Sequence, residues 1–434
     1  MPKDLCDVPL VLLGHFQVVP SLFSKYIRLM NTYDYHSICS DLDSFCDFVF
    51  ADCPGRPLRS NLVACMDARL SNAARKTHQP TALQMVDDPA RADGLRQRMN
   101  RATRSCRWED QAPRRRLYTL AEHHLAHPVA WIFDDTGIIK KGTKSPGVQR
   151  QYCGKAGKRE NCQLVVSTHL AAWNSSHPLE ADLYLPKSWC EDLTRRRESG
   201  IPDEVSFRTK PEIAIDQIDR MLEAGMTPKP ILADAAYGNG SKFRQALQAR
   251  HLEYSVAINS DTSIWRPKQG PDPVPEFSGI GRPPSCRLPG TYHPVSVKEF
   301  ALGLHRKRFK TFTLTRGRAD PSKVRAAFAR IRTARGAYNG KEPGQEQWLI
   351  IVWPPSESEP TDYYLSNLPK RTRPKRLLEL SRLRWRVERD YQDMKQEVGL
   401  EHHEGRNWVG FHHHLTLCMA AHAFLASQRR LFPP

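Results

Sequence analysis

The chain contains no C-x-x-C pair, no apolar run approaching the roughly 18 residues that cross a bilayer, and no internal repeat. Its 11 cysteines are odd in number and scattered. Cys39, Cys46 and Cys53 recur every seven residues, a spacing that places them on one helical face and reads as small buried thiols rather than zinc ligands. The early stretch VPLVLLGHF breaks at Gly14 and His15 and follows acidic Asp4 and Asp7, so neither a membrane span nor a secretory signal is expected. These absences lead to the expectation of a soluble, cytoplasmic protein. Acid is scarce as well: 47 Asp+Glu face 65 Lys+Arg, leaving a formal charge of +18. An excess of that size favours a polyanionic partner, nucleic acid ahead of an anionic membrane surface, with charge-maintained solubility as the bland alternative.

At 434 residues the chain is long enough for two or three domains. Residues 1–125 read as a helical, DNA-binding domain, with apolar positions such as Leu42, Phe45 and Val49 at helical spacing and turn text such as DCPGRP between them. Within it, Arg98, Arg101, Arg104 and Arg107 sit three apart, which on a helix makes a basic strip fit for DNA or simply a solvated face. From 126 to 261 the text becomes α/β. PVAWIFDD, QLVVSTHLAAW and the alternating HPLEADLYLP predict an antiparallel meander; PEIAIDQIDRMLEAG predicts an amphipathic helix, followed by strand, helix and strand. Residues 262–347, rich in Pro and Gly at first, read as an inserted subdomain, and 348–406 return to strand text and a long helix from about 374 to 398. A shorter apolar helix follows in 407–434.

WIFDDTGIIKKG and ILADAAYG share a layout in which a buried strand delivers Asp at its C-terminal end, before turn-forming residues. Side chains at strand ends escape the core while the backbone stays rigid, and carboxylates brought together there need a compensating cation or proton. Oxygen donors of this kind suit Mg²⁺ or Mn²⁺. In RLRWRVERDYQDMKQEVGL, helical periodicity puts Arg384, Glu388, Tyr391 and Lys395 on one stripe, beside an apolar stripe of Leu380, Val387, Met394 and Val398. Taken alone, that charged stripe is equally a set of surface ion pairs.

The spacing R-x-x-x-E-x-x-x-x-x-x-K, read as Arg384, Glu388 and Lys395, resembles the helix signature of the DDE transposases of bacterial insertion sequences. DDTG…KKG…SPGVQRQYCGKAGKRENCQ and GLEHHEGRNWVGFHHH resemble further blocks of one subgroup, so the resemblance runs over roughly 125–425. It implies a ribonuclease H-like mixed sheet, interrupted by the inserted subdomain before the Glu helix, and it names Asp135, Asp234 and Glu388 as the catalytic, metal-holding acids. Asp134 is the rival for the first place; as the neighbouring strand residue it should point to the opposite face. Lys140, Lys141 and Lys158 would hold a phosphate strand beside Asp135, with Arg384, Lys395, Arg98, Arg101, Arg104 and Arg406 as further DNA contacts. The subgroup usually carries Tyr three residues before the Arg; here that position is Ser381, which bears on a hairpin-forming variant of the mechanism. The implied activity is cut-and-paste transposition, with Mg²⁺ (or Mn²⁺), double-stranded DNA bearing terminal inverted repeats, target DNA, and a homodimer in the DNA complex. A catalytically silent DNA-binding regulator and a structure-specific nuclease on the same core remain the alternatives. His402, His403, His412, His413 and His414 read as packing or DNA contacts before a zinc site. Trp265, Trp348, Trp353 and Trp408 read as packing residues that could also stack on a base.

Overall fold

The computed structural model describes residues 32–106, 108–270, 279–280, 292–314, 322–334 and 344–431. The early apolar run at 8–16 and Arg107 of the basic strip lie outside them.

Five helices make up the described part of the first 125 residues: α1 (Thr32–Val49), α2 (Arg56–Leu70), α3 (His78–Gln84), α4 (Pro89–Asn100) and α5 (Gln111–His124). Leu42, Phe45, Leu62, Met66, Leu95 and Met99 bury the apolar stripes of the first, second and fourth in one core. The same core takes in Phe411, Leu415, Met419 and Phe424 of the last helix of the chain, which runs Trp408–Leu431. That helix is apolar around most of its circumference because it is enclosed between the helical unit and the sheet, rather than lying on a surface. Cys46 and Cys53 are buried thiols, as their spacing predicts, although Cys53 sits beyond the end of α1.

The meander predicted after residue 126 is present with one strand more than the sequence pattern suggests. β1 (Ala130–Ile139), β2 (Gln149–Cys153), β3 (Lys158–Ala171) and β4 (Ser176–Tyr184) are followed by two short helices, α6 (Lys187–Cys190) and α7 (Leu193–Ser199). β1 pairs antiparallel with β3, whose other edge carries β2 near its start and β4 further on. α8 (Lys210–Glu223) opens with a complete capping box, Thr209 and Glu212 each closing on the other's backbone, and leads to β5 (Ile231–Ala233). α9 (Ala235–Gly238), α10 (Ser241–Ala249) and β6 (Tyr254–Ile258) complete this part. β1, β5 and β6 run parallel to one another. The order β4-β3-β1-β5-β6, antiparallel at β3 and parallel beyond β1, is ribonuclease H-like, and the chain has that mixed α/β fold.

Residues 262–347 contribute β7 (Ser263–Trp265), β8 (Val295–Ser296), α11 (Val297–Leu302), β9 (Lys310–Leu314) and β10 (Ser322–Thr333). β10 pairs with β11 (Gln347–Val352), which pairs with β12 (Asp362–Ser366), which pairs with β6, so the segment prolongs the sheet to twelve strands.

The long helix expected over 374–398 is two helices, α12 (Pro374–Arg382) and α13 (Trp385–Gln396), before α14, the terminal helix Trp408–Leu431. At the junction the backbone tightens to i→i+3 bonds, Leu383 to Leu380, Arg386 to Leu383 and Val387 to Arg384. Leu380, Leu383 and Val387 stay buried on the sheet across this tighter turn. Among the described residues no helix is long and apolar enough to cross a membrane.

Candidate active site

The two faces of the sheet are distinguishable by the pleat. Trp131 and Phe133 of β1, with Ile231 and Ala233 of β5, lie in the core under α8 and α10; Ala130, Ile132 and Leu232 lie in the core under α12 and α13. Phe133 is in register with Ala233 across the parallel pair, so Asp134 and Asp234 each stand one residue further along neighbouring strands. Asp234 caps α9, accepting from the Ala236 backbone N–H at 2.9 Å. α9 in turn lies tightly on β6: a Cβ at Gly238 would stand 1.9 Å from the Ala257 carbonyl oxygen. Only glycine lets the turn after Asp234 approach the sheet this closely.

A cavity of about 670 Å³ opens past the end of β5 and beside the middle of β1. The sequence pattern ends β1 at its two aspartates, but the strand runs on through them to Ile139. The cavity is lined by Asp134, Asp135, Asp234 and Glu388 together with Arg384, Lys395, Lys155 and Lys210. The sequence reading put Asp135 in the metal-holding place and Asp134 on the far side. The two do leave the strand in opposite directions, but the one that shares a face with α13 is Asp134. Its Oδ2 accepts from Arg384 at 2.6 Å, and the same guanidinium donates to Glu388 at 3.2 Å. Asp135 turns toward α8 and accepts from Lys210 at 2.8 Å. The physical reason is parity: Asp134 has the pleat of Ile132, and Ile132 faces the helices that carry Glu388.

Burial, with Asp234 and Asp135 adding repulsion and Arg384 opposing it, pushes the Asp134 carboxyl up to about 7. Burial raises Asp234 as well, against the pull of Arg384. The cavity thus gathers more carboxylate than its own cations neutralise, and all its acids offer hard oxygen donors of the type a divalent ion takes. Among the described residues no three acids or imidazoles are gathered closely enough to hold a metal ion as they stand. Glu388, whose side chain is 61% exposed, is the one with room to turn.

α13 is pinned from behind by a buried chain of hydrogen bonds. The Tyr391 hydroxyl meets Ser167 Oγ at 2.7 Å, Ser167 meets His169 Nε2 at 2.9 Å, and His169 Nδ1 meets Asp390 at 2.7 Å. Burial would raise Asp390, but the His169 contact and charge hold it down to about 2. This network fixes the helix rotation that aims Arg384, Glu388 and Lys395 at the cavity.

The lysines divide differently from the sequence reading. Lys395 lines the cavity, donating to the Gly137 carbonyl at 3.2 Å and pairing with Glu401 at 3.3 Å; burial lowers it, with Glu401 opposing. Lys140 does not line the cavity: its Nζ donates to the His403 carbonyl, and burial brings it down to about 8. Lys141 is exposed in the loop beyond β1, and Lys158 is exposed and paired with Glu160 at 3.0 Å. Lys155 and Lys210 are the cavity lysines instead. Lys210 is remote in sequence from the acids and carries no motif, and Lys155 differs from Lys158 only in standing on the near side of the Gly157 turn, whose φ is +64°.

Arg98 ends α4, while Arg101 and Arg104 lie in a π-helical turn closed by Cys106 N–H to the Arg101 carbonyl. All three are exposed and none lines the carboxylate cavity, and the π turn breaks the regular strip. Arg406 is exposed in the connector before α14. Ser381 is buried, bonded to Ser255 at 2.8 Å and to the Leu377 carbonyl, so this position faces β6 and not the cavity. The histidines join the terminal helix to the helical unit: His413 meets the Thr103 and Trp108 carbonyls at 3.0 Å each, and His414 Nδ1 accepts from Arg69 at 3.1 Å. Trp265 and Trp353 are buried, Trp348 lies under Arg330 and Trp408 against His412.

A family model described as DDE superfamily endonuclease matches residues 50–321, more than half of the chain, taking in Asp134, Asp135 and Asp234 and ending before Glu388. A relative, the probable transposase for insertion sequence element IS701 from Microchaete diplosiphon, is 33% identical over 147 residues. That match spans 34% of this chain and 36% of the relative, about a third of each.

Proposed function

This chain belongs to the DDE superfamily of endonucleases, and from that premise we propose that it is a cut-and-paste transposase. Its substrates are double-stranded DNA ends bearing terminal inverted repeats, which a homodimer would pair, and target DNA. The observation that carries the reading is the meeting of carboxylates from β1, β5 and α13 at one cavity edged by four basic side chains.

We assign the metal-holding role to Asp134, Asp234 and Glu388, with Asp135, the residue named by sequence resemblance, as the competing first acid. Two aspartates on neighbouring parallel strands give a rigid floor, and the exposed Glu388 would complete the set of oxygen donors. Divalent ions of the kind the family uses, Mg²⁺ or Mn²⁺, would supply Lewis-acid polarisation of a phosphodiester and a nucleophile at neutral pH. Arg384 balances Asp134 and Glu388 and stands where it can donate to a phosphate oxygen. Lys395 and Lys155, shared between Glu401 and the cavity, offer point charges to the DNA backbone on the opposite wall. Lys210 keeps Asp135 turned to the α8 side, which prevents two adjacent aspartates from competing for one position. Strand transfer by the freed 3′-hydroxyl exchanges one phosphodiester for another and calls for no nucleotide cofactor.

The test is cleavage of a duplex carrying the element's end with Mg²⁺, comparing wild type with Asp134→Asn, Asp135→Asn, Asp234→Asn and Glu388→Gln. Loss with the first, third and fourth, and residual cutting with the second, is the expected pattern. Equal cutting by wild type and Asp234→Asn would sink the assignment.

A further inference from the structure

A second cavity, of about 370 Å³, lies where the helical unit meets the segment that follows α13. Arg69, Lys76, Arg96 and Arg104 line it, and Glu404 is its only acidic residue among those described. Glu404 is already paired with Arg75, and Arg96 with Asp93. Arg69 is fully enclosed, 3% exposed, and its Nε is buried without a hydrogen-bond partner, as is Nε2 of His403. Gly405 packs directly on that imidazole edge: a Cβ there would stand 2.5 Å from the nitrogen. The positive potential registers on the neighbouring groups. Burial, with Arg69, Arg96 and Arg104 adding to it, lowers His78 to about 4; burial, with Lys140 and Arg69, lowers His403 well below its ordinary range. Arg104 and Arg96 continue from this cavity into a more open depression of about 650 Å³ that also takes in Arg101 and Asn407. Four cations line this cavity against one carboxylate.

We propose that this cavity is a phosphate-binding site that holds one backbone phosphodiester of DNA outside the carboxylate cavity. One desolvated guanidinium, Arg69, bonded to the Cys65 carbonyl and His414 but with Nε unpartnered, faces a space with one engaged carboxylate and fits an anion. Arg104, exposed at the mouth, offers the fork geometry that matches phosphate oxygens. The carrier is DNA because the two cavities adjoin through consecutive residues: Glu401 lines the carboxylate cavity and His402 lines this one. A strand leaving the acids past Lys155 and Lys395 therefore passes this mouth next. The site also touches both the helical unit and the connector after α13, since the Lys76 backbone N–H donates to His402 Nδ1 at 2.9 Å, so a phosphate held there clasps the two together.

This inference rests on the reading of DNA as substrate but not on cleavage, and its test is run with chelator present. Binding of the full chain to a mixed-sequence duplex is measured across a salt series for wild type, Arg104→Gln and Arg69→Gln, alongside thermal unfolding with and without inorganic phosphate. Arg104→Gln is expected to weaken binding roughly tenfold and to reduce the slope of log affinity against log salt by about one. Inorganic phosphate is expected to raise the melting temperature of wild type more than that of the variant. Arg104 is at the surface, so its variant keeps the assay meaningful even if Arg69→Gln does not fold. Unchanged affinity and slope in Arg104→Gln would overturn the proposal. Phosphate stabilisation that disappears in the variant while DNA binding does not would overturn DNA as the carrier.

Discussion

The two cavities on either side of residues 401 and 402 solve opposite electrostatic problems. In the first, acids from three elements crowd together and are held by internal cations, Arg384 on the α13 side and Lys210 on the α8 side. In the second, guanidinium and ammonium groups crowd together, and the balancing groups are neutral imidazoles and backbone carbonyls. The difference teaches what each is ready to accept. Acids raised by burial and by one another gain most from a cation, whereas cations that add to the burial lowering nearby histidines gain most from an anion. One strand of DNA with its metal ions satisfies both.

The largest expected effect separates the two directly. Asp234→Asn should lower DNA cleavage on the order of 10³-fold, by removing charge from the transition-state environment, while leaving metal-free DNA affinity unchanged or slightly higher. A quantitative cleavage and anisotropy pair checks it. Next comes the joint that keeps the cavities aligned. Arg114 of α5 is fully buried, meeting Asp110 at 2.6 Å and Glu180 of β4 at 3.2 Å, while its Nε donates to Thr416 of α14. Arg114→Leu takes from Asp110 its 2.6 Å partner and leaves buried Glu180 to Arg220 and Tyr118 alone, and should cost about 3 kcal/mol in chemical denaturation.

A smaller effect concerns protons. The folded-state value of Asp134, about 7, lies above its ordinary 3.8, so the folded protein holds this proton more tightly than the unfolded chain does. Its contribution is therefore fully present below about pH 4 and is lost as pH rises toward 7. Metal-free protein should lose about 1–3 kcal/mol of stability across that window on this account, and Asp134→Asn should flatten the curve. Mg²⁺ should accordingly raise the melting temperature more at pH 7.5 than at pH 5, which a thermal scan at both values measures. The smallest contrast is between two lysines. Lys158→Ala removes an exposed pair with Glu160 and should change stability by less than about 1 kcal/mol and DNA affinity little. Lys155→Ala, three residues away but on the cavity wall, should weaken DNA binding by roughly one phosphate contact's worth of salt slope.

Much of this was legible from residue order alone. Short apolar runs before acid predicted β1 and β5, although β1 continues through its acids to Ile139, and the stripe of Arg384, Glu388 and Lys395 does face one cavity because helical period is a local property. The break between α12 and α13 was not legible, since Leu380, Leu383 and Val387 keep the i, i+3, i+7 spacing of one continuous helix across it. Nor was the choice between the adjacent aspartates. Motif text named Asp135, but which side of β1 each acid takes depends on which side receives α13, a fact of packing and not of spacing. Lys140 and Lys158 belong to the same class of misplacement: a lysine's reach is set by the turn it stands on, and Gly157 separates Lys158 from the wall that Lys155 occupies.

By itself, the sequence determined the element types, the acids that follow the short apolar runs, the excess of positive charge and the absence of a bilayer-length apolar run, because these depend on neighbours a few residues apart. Tertiary structure alone decided which acid shares Arg384 with Glu388, which lysines edge the cavity, and that cations from α2, the loop after it, α4 and the π turn gather against the segment after α13 in a second pocket. Those outcomes arise from contacts between residues hundreds of positions apart, such as Arg384 with Asp134 and Arg69 with His414, and no local periodicity carries them.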